Sequence, residues 1–257
     1  MSGSQRLLEG KVAAITGATS GSGRAIAARF AAEGAHVVLL ARGAERLEAL
    51  ASELGPNAAG LATDVGDADS VRATFGTIDD RFGKLDILVN NAAVYRPCPV
   101  EQLSDEDIVG HVSTNFVGPV HTCRSAIPLL RAAGGGDIVN TSTELTQIPY
   151  PLMTMYVSTK AALEMFSNML MAEVPDDDIR VTTLVQGTAH GEGGGSTGWE
   201  WDPAISDRAF ELWSEQGFLA RTNGTTGQTV EAIAEVHLFV VTRPRGQRLH
   251  RVHCFAY

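Results

Sequence analysis

"AAITGATSGSGRAIA", residues 13–27, sets an apolar run against three glycines, Gly17, Gly21 and Gly23, and then resumes with helix-forming residues. Glycine inside a regular element costs roughly 0.5–1 kcal/mol relative to alanine, so three of them at a strand-to-helix junction need a compensating use. A helix N-terminus offers free N–H groups and a positive dipole end, which suit a pyrophosphate. Glycines there let the backbone turn and come close to it. The spacing is GxxxGxG rather than the commoner GxGxxG. A plain tight turn is the competing reading. Its place on the first strand–helix unit favours a dinucleotide site.

Outward from this stretch, strand-like and helical runs alternate. Strands are expected at 11–17, 36–42, 58–65, 85–93, 136–143 and 179–187, and helices at 23–34, 44–55, 69–83, 105–134 and 156–174. Strands rich in Val, Ile and Leu on both faces, alternating with helices, imply a parallel sheet covered on both sides. We therefore expect one doubly wound α/β domain over 1–257. Residues 188–228 break the rhythm: a glycine-rich stretch precedes an aromatic one. An irregular insert of that length in a compact domain is usually a binding loop or lid.

Bulk properties narrow the function. The 257 residues carry a formal charge of −10, which disfavours nucleic acid and anionic membranes as partners. No apolar stretch reaches the roughly 18 residues of a spanning helix. The opening "MSGSQRLLEGK" has no apolar segment of the secretory kind. Cys98, Cys123 and Cys254 form no CxxC pair, which suits a reducing cytoplasm. His250 and His253 would lie on opposite faces of a strand, so no metal site is expected. Arg243 and Arg245 read as a solvated turn around Pro244.

Four motifs occur in order over residues 11–187: TGATSGSG (16–23), NNAA (90–93), Asn115 within STNFVG, and Tyr156-Val-Ser-Thr-Lys160. Together they resemble the short-chain dehydrogenase/reductase family. The resemblance implies a single Rossmann-type domain with a seven-stranded parallel sheet that binds NAD(H) or NADP(H). It implies a catalytic set of Tyr156, Lys160, Asn115 and a hydroxyl 13 residues before the tyrosine. That count lands on Thr143; Ser142 beside it is the alternative. Asn115 would kink its helix and extend a proton relay toward the lysine. Asn90 would steady the sheet and line the cofactor cleft. Gly17, Ser20, Gly21, Ser22, Gly23, Asp64, Val65, Asn91, Ala92, Lys160 and Thr188 are the expected cofactor contacts, with Asp64 meeting the adenine amino group.

The residues carry their own chemistry. Tyr156 and Lys160 are four apart on a helix and share a face. A free phenol titrates near pH 10, and an adjacent ammonium would lower that value. Such a tyrosine exchanges a proton with an alcohol or carbonyl. Threonine at 143 keeps a hydroxyl and adds a stiff methyl. At the end of strand two the family's NAD-selecting acid is replaced by Ala41, and Arg42 follows. A guanidinium without a competing carboxylate suits a 2′-phosphate, so NADP(H) is preferred and NAD(H) stays the alternative.

The chain also departs from the family pattern. Ser22 stands where isoleucine is usual, Ala93 where glycine is, Gln186-Gly187 for Pro-Gly, and Gly191 for threonine. The expected activity is hydride transfer between NADP(H) and a secondary alcohol or ketone, a small molecule of bulky, apolar or ring-containing kind. A silent nucleotide-binding scaffold and an NAD-dependent epimerase or dehydratase are the other readings. In the lid, Gly191 and Gly193–Gly195 would be the hinge, and Trp199, Trp201, Phe210, Trp213 and Phe218 the wall. Packing of these rings in the core or a subunit interface is the alternative. A cytoplasmic homodimer or homotetramer is expected.

Overall fold

A computed structural model describes residues 6–148, 150–190, 200–217 and 228–255. Seven strands form one parallel sheet in the order β3-β2-β1-β4-β5-β6-β9. They are β1 (Val12–Thr16), β2 (His36–Ala41), β3 (Ala58–Ala62), β4 (Ile87–Asn90), β5 (Gly136–Thr143), β6 (Ile179–Gln186) and β9 (Arg251–Cys254). A separate parallel pair joins β7 (Ala189–His190) to β8 (Gln228–Thr229). The helices are α1 (Gly21–Ala32), α2 (Ala44–Leu54), α3 (Ala68–Phe82), α4 (Asp105–Val112), α5 (Gly118–Ala132), α6 (Thr154–Glu173), α7 (Pro203–Glu215) and α8 (Val230–Val241).

Strand side chains alternate between two cores. Ala13, Ile15, Val37 and Leu39 face one layer with Ile26 and Phe30 of α1 and Leu238 of α8. Val12, Ala14, Val38 and Leu40 face the other with Phe75 of α3, Leu130 of α5 and Leu170 of α6. Burial on both faces explains the unbroken apolar runs of the strands. The order reverses between β1 and β4, and a crevice opens beyond their carboxyl ends.

Local chemistry sets the ends of elements. Asp67 caps α3 through Asp69 N, and Gly83 closes it in the left-handed region. Ser104 and Asp107 form a capping box on α4. Strand three stops at Ala62 and strand four spans only Ile87–Asn90, so Thr63–Val65 and Asn91–Ala93 are loop, free to face the crevice. The single helix expected over 105–134 is α4, a π turn at Ser113–Val117 and α5. Pro119 lies in the first turn of α5, where its missing N–H costs nothing.

At the opposite end of the sheet, Arg180 grips Asp137 through two bonds of 2.6 and 2.9 Å, both side chains buried. Arg245 adds bonds to Asp137 at 3.2 Å and to Asp178 at 2.9 Å, so it ties the turn to the sheet rather than simply meeting solvent. Arg243 stacks on Phe239, 4.1 Å from the ring centre.

Candidate active site

The glycine turn is built as a close approach. Gly17 sits at φ +66°, and a Cβ there would meet Ala92 Cα at 2.9 Å. A Cβ on Gly23 would meet Gly17 O at 2.2 Å. Gly23 is buried and does not line the crevice, so it serves by letting α1 pack onto the turn. The Ser20 hydroxyl does not cap α1, and no acid occupies its first turn. Uncapped N–H groups and a positive dipole end therefore suit an anion.

Two adjoining cavities share this turn. Gly17, Ser20 and Ala92 line both. One runs toward Arg42, Asp64 and Val65, the other past Gly21, Ser22 and Asn91 to Thr143, Tyr156, Lys160 and Thr188. The crevice thus gathers every expected cofactor residue except Gly23. Asp64 turns its carboxylate to Gly66 N at 2.9 Å. Asn91 is fixed by its backbone N–H on Thr16 Oγ1 at 3.0 Å. Sequence reading missed Arg46, which lines the first cavity with Arg42.

Asn90 is a correction. It is buried, donates to Asn140 Oδ1 at 2.8 Å and accepts from Thr122 Oγ1 at 2.7 Å. It steadies the sheet but faces away from the crevice, because strand neighbours point oppositely.

α6 carries Tyr156 and Lys160 on one face. Lys160 is buried and its Nζ donates to Thr141 O at 2.7 Å. The Nζ lies 6.0 Å from the centre of the Tyr156 ring. Burial lowers the lysine to about 8, opposed by Glu164. The Tyr156 phenol is raised, first by burial and then by Tyr95, while a hydrogen bond with Thr143 pulls it down. The expected lowering is therefore not what the protein frame produces: burial raises the phenol.

Thr143 meets Tyr156. Ser142 instead donates to Glu164 Oε1 at 2.6 Å. Asn115 is fully buried in the π turn. Its Oδ1 accepts from Val94 N at 2.8 Å, and its Nδ2 donates to Val94 O at 2.9 Å and to Thr159 Oγ1 at 3.2 Å. These side-chain bonds hold the π turn against the segment at Val94 and against α6. They tie α6 to the loop that carries Asn91 and Ala92.

Thr188 donates its backbone N–H to Glu144 Oε1 at 3.3 Å. A Cβ on Gly187 would stand 3.2 Å from the same oxygen. Glu144, next to Thr143, was not read as a site residue.

An aromatic wall flanks the tyrosine. Tyr95 lies 5.2 Å from Tyr156 and 5.9 Å from Trp201, ring centre to ring centre. Phe210 and Trp213 of α7 are 5.3 Å apart, and Trp213 Nε1 donates to Pro151 O at 2.9 Å. Gly191, Gly193–Gly195, Trp199 and Phe218 lie outside the described residues. Among the described residues, no cluster of His, Cys, Asp or Glu could hold a metal, and no helix is long and apolar enough to cross a membrane.

The short chain dehydrogenase family model matches residues 11–193. The chain is 38% identical over 180 residues to D-threitol dehydrogenase of Mycolicibacterium smegmatis, covering 69% of each chain. It is 35% identical over 248 residues to sulfoacetaldehyde reductase of Chromohalobacter salexigens, covering 93% of this chain and 90% of that one. L-sorbose reductase from Gluconobacter frateurii, solved with NADPH and L-sorbose, superposes with a TM-score of 0.82 at 30% identity, covering 98% of this chain and 97% of that one. A family match over most of the chain, on a seven-stranded parallel sheet with Tyr156 and Lys160 at its crevice, makes this chain a member of the short-chain dehydrogenase family of oxidoreductases.

Proposed function

We propose that the chain reduces a ketone to a secondary alcohol, or runs the reverse, with NADP(H) as hydride carrier. The observation that carries this reading is the meeting of Thr143, Tyr156 and Lys160 beside the glycine turn. Gly17, Ser20–Ser22, Asn91, Ala92 and Thr188 would hold the dinucleotide, with Asp64 and Val65 at its adenine end. When bound, the nicotinamide supplies or accepts the hydride at the carbonyl carbon.

The chain's residues handle the oxygen. The Thr143 hydroxyl holds the substrate oxygen beside Tyr156. The Tyr156 phenol, kept protonated by burial, gives its proton to that oxygen as the carbonyl becomes an alcohol. The resulting phenolate is balanced by the Lys160 ammonium. Asn115 fixes α6 against the cofactor loop through Thr159 and Val94.

Ala41 with Arg42 and Arg46 supports NADP(H) over NAD(H), since two guanidiniums flank the cavity without an acid at the end of β2. Tyr95, which lines the crevice, and Trp201 against it support a bulky, apolar or ring-containing substrate and a lid within 188–228 of a single domain, whereas Trp213 packs in a small core cluster with Met153 and Ala209. Buried free Cys98 and Cys123 support a cytoplasmic setting. Val109 and Val112 of α4 with Met165 and Met169 of α6, all exposed, support a homodimer or homotetramer. The test is a panel of ketones and secondary alcohols, from polyols to aryl ketones, with NADPH and NADH followed by nicotinamide absorbance. Turnover of ring-containing ketones with NADPH is expected. Tight NADPH binding without turnover of any compound would contradict the reading.

A further inference from the structure

From the geometry of α6 against β5 we infer that Glu164 is a positioning residue: its carboxylate fastens the end of β5 and the strand β9 to the catalytic helix and is the counter-charge of Lys160. The inference rests on the reading of Tyr156 and Lys160 as the reacting pair.

Tyr156, Lys160 and Glu164 follow one another at four-residue steps, so they line one face of α6. Each holds one of three consecutive residues at the end of β5. Tyr156 meets the Thr143 hydroxyl, Lys160 Nζ takes the Thr141 carbonyl at 2.7 Å, and Glu164 Oε1 takes the Ser142 hydroxyl at 2.6 Å. Fastening Ser142 to Glu164 therefore holds the end of β5, and with it Thr143, against α6.

The same carboxylate reaches further. Glu164 Oε1 also accepts from Thr146 Oγ1 at 2.8 Å, in the turn after β5. Its Oε2 pairs with Arg251 of β9 at 2.9 Å, with the Glu164 side chain only 12% exposed. A carboxylate this buried is tolerated because both oxygens have donors.

The charges around Lys160 single out Glu164. β5 and β6, packed against α6, bring Asp137 and Arg180, which pair with each other at the far end of the sheet. α4 brings Asp107, paired with Arg96, and His111, whose Nδ1 bonds the Asp107 carbonyl. The turn after β5 brings Glu144, whose carboxylate faces Thr188. The π turn packed on α6 brings the neutral Asn115. Tyr95 lies over Tyr156, and Arg251 is engaged by Glu164. Among the described residues, Glu164, one helical turn along α6, is the charge that favours the Lys160 ammonium against burial.

Lys11, Lys84 and Lys160 are the only lysines, which makes a direct test practicable. The full chain is labelled with carbon-13 at lysine Cε, and the three signals are assigned with Lys11→Arg and Lys84→Arg. Their titration is followed by NMR in the unmodified chain, Glu164→Gln and Arg251→Gln. The Lys160 midpoint is expected to fall by about half a pH unit or more in Glu164→Gln, and to rise in Arg251→Gln, which leaves the carboxylate without its guanidinium. The alkaline limb of kcat should move in the same directions. A Lys160 midpoint unmoved in Glu164→Gln overturns the inference, whatever happens to kcat. Should Glu164→Gln fail to fold, Arg251→Gln decides: a midpoint that does not rise overturns it. The lysine titration needs no turnover, so failure of the proposed reaction and failure of this inference are separately visible.

Discussion

Thr143 and Tyr156 line the same cavity, and the Thr143 hydroxyl acts to lower the Tyr156 phenol against burial. Ser142, one residue earlier, is bonded instead to Glu164 at 2.6 Å. The two hydroxyls are therefore not interchangeable.

Thr143→Ala should lower kcat/KM about 10–100-fold, the scale of a hydrogen bond to a group carrying charge in the transition state. Ser142→Ala should cost several times less, because Glu164 keeps Thr146 and Arg251. Steady-state kinetics of both variants check this. The reverse ranking would place the substrate-facing hydroxyl at 142.

Arg42→Ala should weaken NADPH by about 10–100-fold and NADH little, since a charge-assisted contact to the 2′-phosphate is of order 1.5–3 kcal/mol. Ala41→Asp should shift preference toward NADH. Titration calorimetry with both dinucleotides measures the ratio. Equal losses for both would remove Arg42 from the 2′-phosphate.

His237 is fully buried on α8, its Nδ1 2.9 Å from the Ile233 carbonyl oxygen, and burial lowers it to about 4. Its folded value lies below the ordinary imidazole value of about 6.5. The unfolded chain then binds more protons in that window, so stability falls as pH drops from 6.5 toward 4. Thermal melts at several pH values should show this loss in the unmodified chain and a smaller one in His237→Asn. Parallel curves would show that His237 is not the group that titrates.

Trp201→Ala should raise KM for ring-containing substrates more than for short aliphatic ones, because Trp201 packs edge to face against Tyr95, which lies against Tyr156. Hydrogen exchange over 190–220 should slow when substrate joins the cofactor complex. Exchange already slow in the free protein and unchanged by both ligands would rule out a lid.

Much of the fold was legible because period and punctuation are local. Val12–Thr16 and His36–Ala41 read as buried strands, and Gly17 marked a turn that the structure places at positive φ. The π turn was not legible: the partner of the Asn115 side chain is Val94, 21 residues earlier, which no local pattern marks. The direction of the Tyr156 shift was missed for a similar reason. Spacing puts Lys160 beside it, but the depth of burial depends on Tyr95 and the surrounding fold. Glu144, Arg46 and Glu164 belong to no motif; only tertiary packing brings them to the crevice and to β5.

The central claim is that Tyr156 passes the proton while the dinucleotide passes the hydride. Its most direct test is single-turnover oxidation of bound NADPH by a ketone substrate in Tyr156→Phe, beside an independent NADPH binding measurement. The account predicts NADPH affinity within about twofold of the unmodified chain and a turnover rate lower by about 10²–10⁴-fold. A variant that binds NADPH normally and keeps more than about a tenth of the rate would contradict it.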